Sequence, residues 1–96
     1  MNDRLELIKK ELYGKEPSGS IDGYQVQIGN GEFDLEKYNK LMTLFKDVAK
    51  DIKTTDKQLS EFLGHYTNFA IDTVMLLLSR EYENLDEVVK ELENLF

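Results

Sequence analysis

The sequence holds no cysteine, no tryptophan, one histidine and one proline. Without cysteine there is neither a disulfide framework nor a thiolate metal site, so a reducing, cytoplasmic setting is expected. A lone imidazole, His65, rules out a histidine-rich metal centre. With no thiol beside it, the usual nucleophile and base pairings are also missing. The chain is therefore read as non-enzymatic, with no metal and no cofactor expected. A long apolar run is absent too: the longest covers residues 74–78, against the roughly 20 residues a membrane span needs. The start, Met1-Asn2-Asp3-Arg4-Leu5-Glu6, lacks the basic segment and apolar stretch of a targeting signal.

Bases are scarce in one half of the chain. Residues 1–53 carry ten acids and nine bases, whereas residues 54–96 carry nine acids against Lys57, Arg80 and Lys90, a net of −6 out of −7 for all 96 residues. An acidic field of this kind repels phosphate out to a Debye length of ~8 Å at physiological salt, disfavouring direct contact with nucleic acid or an anionic membrane and favouring a basic protein surface.

What is present is helical texture. An apolar content of 41 % over 96 residues makes a single domain spanning 1–96. Asn2 or Asp3 caps a first helix with Leu5, Ile8 and Leu12 on one face and Leu7 beside them, and Gly14 ends it. Residues 14–31 then gather five of the six glycines and Pro17. Within them Tyr24, Val26 and Ile28 alternate with glutamines as a half-buried strand does, and Asp22-Gly23 reads as a hairpin turn. Asp34 caps a second helix whose inner face is Leu35, Tyr38, Leu41, Met42, Phe45, Val48, Ala49 and Ile52. Thr55 with Gln58 reads as a capping box for a third, turning Leu59, Phe62, Leu63, Tyr66, Phe69, Ala70, Thr73, Val74 and Leu77 inward. From 70 to 78 only Asp72 and Thr73 are polar, so this helix is expected at the centre, covered on all sides, with Phe69 and Leu77 fully buried. Asn84 with Glu87 caps a C-terminal helix bearing Leu85, Val88, Val89, Leu92, Leu95 and Phe96. The expected fold is mainly α: a small bundle of about four helices with a minor β-hairpin between helices one and two.

Candidate chemistry is sparse. His65 reads as a boundary residue between core and solvent, with a pH sensor as its functional alternative. The adjacent acids Glu81/Glu83 and Asp86/Glu87 diverge on a helix and belong to a solvated face. Gly29-Asn30-Gly31 has the look of a phosphate-binding turn, but the third glycine is missing and Glu32 and Asp34 stand where the phosphate would go. Lys46, Lys50, Lys53 and Lys57 would form a basic stripe only if the second helix ran on through Thr54, Thr55 and Asp56. Residues 57–70 have the outline of a helix-turn-helix with Gly64 at the turn, yet offer no Arg or Lys to bases before Arg80.

The acidic C-terminal helix is the strongest functional candidate. Glu83, Glu87 and Glu91 are spaced four apart as a column of like charge, and Glu91 and Glu93 sit at the negative end of the helix dipole. Fold stability does not ask for them, so Glu83, Asp86, Glu87, Glu91 and Glu93 are the expected partner-binding residues. Tyr24, Val26 and Ile28 are a second candidate, an edge strand open to a partner strand. The reading is a small acidic inhibitor, immunity or anti-defence protein, of the kind phages encode, that docks a basic surface of a nucleic-acid-handling partner. The alternatives are a helix-turn-helix regulator, or an assembly subunit that forms homo-oligomers through Leu44, Leu76 and Leu78.

Overall fold

The structure, a computed structural model, describes residues 3–14, 23–53, 55 and 57–95. Among them five helices follow in order: α1 (Asp3–Tyr13), α2 (Tyr24–Gly29), α3 (Leu35–Asp51), α4 (Leu59–Ser79) and α5 (Leu85–Glu93). There is no strand among the described residues. α1 packs on α3 and α2, and α4 packs on α5 and α2, so the short α2 bridges the two halves of the bundle. No helix among the described residues is long and apolar enough to cross a membrane.

Where the apolar period is strong, the helices form as their spacing requires. Asp34 caps α3 from an extended backbone, its Oδ1 accepting from the amides of Glu36 at 3.0 Å and Lys37 at 3.2 Å. Tyr38, Leu41, Met42, Phe45 and Val48 are buried on one face of that helix, while Leu35 stays half exposed. Leu5, Ile8 and Leu12 bury the matching face of α1, which Gly14 closes at φ 90°. The guanidinium of Arg4 then ties α1 to the end of α3, donating to the Asp47 carbonyl at 3.1 Å and pairing with Asp51.

The hairpin expected around residues 24–28 is not there. Asp22 and its neighbours back to residue 15 lie outside the described residues, but Tyr24–Gly29 is helix. Both periods pass through these residues: Tyr24, Val26 and Ile28 alternate, and Tyr24 and Ile28 are also four apart. Helix wins because it points Tyr24 and Ile28 into the core together and lets the Tyr24 hydroxyl bond Thr73 Oγ1 while Gln25 Nε2 donates to Asp72 Oδ2 at 2.7 Å. A lone strand would have had one short neighbour and no such partners. Gly29-Asn30-Gly31 is neither hairpin turn nor phosphate cradle. It is the C-terminal cap of α2, with Gly31 at φ 82°, its amide on the Ile28 carbonyl at 2.9 Å and the Glu32 amide on Gln27 at 2.8 Å, a Schellman motif.

α4 runs unbroken through Gly64, so the helix-turn-helix outlined over 57–70 has no turn. Nor does the Thr55–Gln58 box form: the helix opens at Leu59 with Gln58 in the capping place and no side-chain bond there, because Phe62 and Tyr66 set the start by where they must be buried. Asn84 likewise precedes α5 without a side-chain cap bond; its ψ of 20° is far from the extended backbone that capping favours.

Between α4 and α5 the backbone reverses through a second Schellman motif, the Glu81 amide bonding Leu78 at 3.2 Å and the Tyr82 amide bonding Leu77 at 3.0 Å. Its left-handed position is held by Glu81, at φ 54°, where glycine is usual. Glu81→Gly should raise stability by about 0.5–1 kcal/mol, the ~1–2 kcal/mol relief of the left-handed strain less the larger unfolded-state freedom of glycine. A urea midpoint that fell on this substitution would contradict it.

The core centres on rings. Phe69 lies within 5.0–6.2 Å of the ring centroids of Tyr24, Tyr38, Phe45 and Tyr66, so α2, α3 and α4 meet on one side chain. Among the described residues Thr73 is the one buried polar side chain of the core, and Tyr24 answers it. Tyr38 donates to Glu91 Oε1 at 2.8 Å and Tyr66 to the Leu92 carbonyl at 2.5 Å, so every buried phenol is satisfied.

These three phenols resist ionisation. Burial is the main cause for each. The Glu91 carboxylate, accepting from Tyr38, raises that residue further, and the negative charge of Glu91 helps push Tyr66 up to about 12. In the unfolded chain they titrate near ~10. Their contribution to stability is thus full below pH ~10 and is lost as the pH rises from there through the folded-state values, because the unfolded state has released protons the folded state still holds. Helicity should collapse cooperatively above about pH 10–11, with phenolate absorbance from the three rising in the same step. Phenolate appearing while helicity stayed constant would contradict this coupling.

Candidate partner-binding surface

α5 is docked by its apolar face, by the Tyr66 bond to the Leu92 carbonyl and by one carboxylate. Val88 and Leu92, four apart, are buried against the core. Glu91 is only half exposed, accepting from Tyr38 while its Oε2 lies 3.6 Å from Lys46 Nζ. The expectation that the fold asks nothing of Glu91 is therefore corrected: its oxygen satisfies a buried phenol on α3. Nor do Glu83, Glu87 and Glu91 form one column on one helix, since Glu83 lies in the turn ahead of α5.

The remaining acids separate by face. Glu87 and Glu91 line a hollow with Leu35, Tyr38 and Tyr82 on the α3 side. Asp86, Val89 and Glu93, spaced three and seven apart, share the opposite face of α5. Glu83, Asp86, Glu87 and Glu93 are all exposed. Among the described residues none of the four takes part in an ion pair or side-chain hydrogen bond. Elsewhere the acids are divided: Glu32, Glu36, Asp47 and Glu81 are also without an ion pair among the described residues, while others are paired. Glu6 and Glu61 bind Lys9, Glu11 binds Lys40 at 2.8 Å, and Asp51 binds Arg4. Residues 59–95 contain eight acids and two bases, Arg80 and Lys90, a net of −6.

Beside the Asp86/Glu93 face runs an apolar groove of about 340 Å³, with Ile71, Val74 and Met75 of α4 on one wall and Val89, Leu92 and Glu93 of α5 on the other. The expectation that α4 is covered on all sides fails here. Ile71 is 51 % exposed, Met75 64 % and Leu78 63 %, a stripe at spacings of four and three along two turns of helix. Of the three residues first marked as leftover apolar surface, Leu78 belongs to this stripe, while Leu44 and Leu76 pack against the core. Ile71 and Met75 were visible in the sequence as the back of an all-round apolar helix. What hid them was the assumption that the other elements suffice to cover it.

The other candidates take structural places. Tyr24 and Ile28 are buried and Val26 sits on a helix, so no strand edge is open at these positions. His65 accepts from or donates to the Tyr13 hydroxyl across 2.7 Å at the α1–α4 contact, with Nε2 3.7 Å from Glu61. Glu61 in turn bonds Lys9, which holds its carboxyl below the usual range. This cluster fastens α1 to α4. α3 ends at Asp51, so Lys46 and Lys50 are not continued as a helical stripe to Lys53 and Lys57. Among the described residues no group of three or more His, Asp or Glu side chains is arranged to hold a metal ion. Comparison of the chain with protein-family models, curated proteins and solved structures finds no match.

Proposed function

We propose that this chain is a non-enzymatic acidic binding protein whose α5 side docks a basic surface on a nucleic-acid-handling partner, acting as an intracellular inhibitor of the immunity or anti-defence kind. The observation that carries the reading is the clustering of four exposed carboxylates, Glu83, Asp86, Glu87 and Glu93, on α5 and the turn ahead of it, none of them in an ion pair among the described residues. Unspent charge of one sign steers a cationic partner and accelerates encounter, and it occupies the cationic residues that would otherwise hold phosphate.

Capture from the native host at low salt, elution by salt and mass spectrometry of the eluate identify the partner. The variant E83Q/D86N/E87Q/E93Q should then associate with it about ten-fold or more slowly at low salt, with a flattened salt dependence. Its stability should stay within about 1 kcal/mol, as lost dipole interactions at Asp86 and Glu87 offset relieved repulsion. Glu91→Ala should do the reverse on stability, costing about 1–3 kcal/mol by stranding the Tyr38 hydroxyl. An association rate of the quadruple variant equal to the parent across the salt series would remove α5 as the binding face.

A further inference from the structure

We infer that the α4/α5 groove receives a cationic amphipathic helix, so that the basic partner engages this protein through a helical segment with large apolar residues on one face and Lys or Arg alongside. The inference rests on the reading of α5 as the docking side and specifies what docks.

Three features converge. The stripe Ile71, Met75 and Leu78 covers seven residues of α4, about 10 Å of axis, which matches the reach of apolar anchors spaced i, i+3 or i+4, and i+7 on an incoming helix. The walls are nearly all aliphatic, and Met75, the most exposed of them, is an unbranched thioether able to adapt to different anchor shapes. A contiguous exposed apolar strip of this kind marks an interaction surface rather than chance exposure. Then the charge chooses among occupants. Asp86 and Glu93 share the α5 face that carries Val89, and Glu93 itself lines the groove, so a helix lying there meets carboxylates along its flank, with Lys90 the one base of α5. A second copy of a chain of net charge −7 would set one acidic rim against another, and an anionic lipid surface would meet the same repulsion. A helix with basic flanks is the occupant that both the floor and the rim favour.

The test uses the full chain and three synthetic peptides of about 18 residues, roughly five helical turns: a Leu/Lys peptide patterned as an amphipathic helix, a scramble of it with the faces mixed, and oligolysine of equal charge. Titrations followed by fluorescence anisotropy are run on the parent, on I71Q/M75Q and on D86N/E93Q. The patterned peptide should bind at least about ten-fold tighter than the scramble. That advantage should vanish in I71Q/M75Q, whose melting temperature should be equal or higher because both side chains are exposed. D86N/E93Q should keep the preference for pattern and lose much of the salt dependence.

Equal binding of patterned and scrambled peptides, both salt-sensitive, would overturn the groove and leave the acidic docking surface standing. No binding of any peptide, oligolysine included, would overturn both. A dimer in sedimentation without peptide that I71Q/M75Q dissociates would assign the groove to a second copy, and binding to anionic vesicles lost in the same variant would assign it to lipid; either result overturns the inference.

Discussion

Phe69→Ala should destabilise the protein by about 3–5 kcal/mol, the largest effect expected of any single substitution here. The side chain, on α4, is fully buried, and its ring neighbours on other elements come from two helices, with centroid distances of 5.1 Å to Tyr24 on α2, 5.5 Å to Tyr38 and 5.0 Å to Phe45 on α3. Removing it withdraws apolar burial and leaves a void that three elements would have to close together. They are held apart by their own satisfied hydroxyls, so collapse is opposed. A domain of this length has a total stability of roughly 5–15 kcal/mol, so the variant should be partly unfolded at 37 °C if the parent lies at the low end. Leu77→Ala, also at a fully buried position, should cost about 2–5 kcal/mol. Urea denaturation reads both, and a midpoint unmoved by Phe69→Ala would mean that the ring is not where the helices meet.

Gly23→Ala should cost about 1–3 kcal/mol although it adds a single methyl group. A β-carbon at Gly23 would lie 2.7 Å from the Tyr13 carbonyl carbon, 2.8 Å from the Gly14 nitrogen and 3.0 Å from the Leu12 carbonyl oxygen. All three are backbone atoms at the end of α1, and backbone cannot rotate away as a side chain can. The dihedrals of Gly23, φ −71° and ψ 138°, are open to any residue, so no conformational preference contributes and the penalty is contact alone. Gly29→Ala is the matched comparison. Its β-carbon would meet nothing within 4 Å, it ends a helix, and the substitution should stabilise by about 0.5–1 kcal/mol through the unfolded chain. Opposite signs at two glycines six residues apart are expected, and the same sign at both would show that α2 does not sit against α1 in this way.

Those two substitutions also mark where the sequence could and could not be read. The inner face of α3 and the burial of Phe69 and Leu77 were legible because their apolar residues recur at a period only a helix satisfies. The caps at Asp34 and Gly14 were legible because each needs one residue type for one backbone geometry. The segment 24–28 was not. It fits a strand and a helix equally, and six residues cannot sustain a helix alone. The decision lies with Asp72 and Thr73, 47 and 49 residues along the chain. Glu91 illustrates the same limit within the candidate site. Charge spacing placed it with its neighbours, and only the arrival of Tyr38 from α3 distinguishes a carboxylate that supports the fold from the four that face outward. The groove was hidden for a related reason, since an apolar helix announces that it is to be covered but not by what.

The aromatic centre of the molecule has an optical consequence. With no tryptophan in the chain, its near-ultraviolet dichroism and intrinsic emission belong chiefly to tyrosine. Tyr24, Tyr38 and Tyr66 are buried on α2, α3 and α4, each bonded to a partner on another helix. The chain therefore carries its own packing reporter. Far-ultraviolet dichroism registers helices whether or not they are assembled, whereas the tyrosine bands require the three helices to be locked around Phe69. Loss of the second signal ahead of the first separates a state of loosely associated helices from the native one without any attached label.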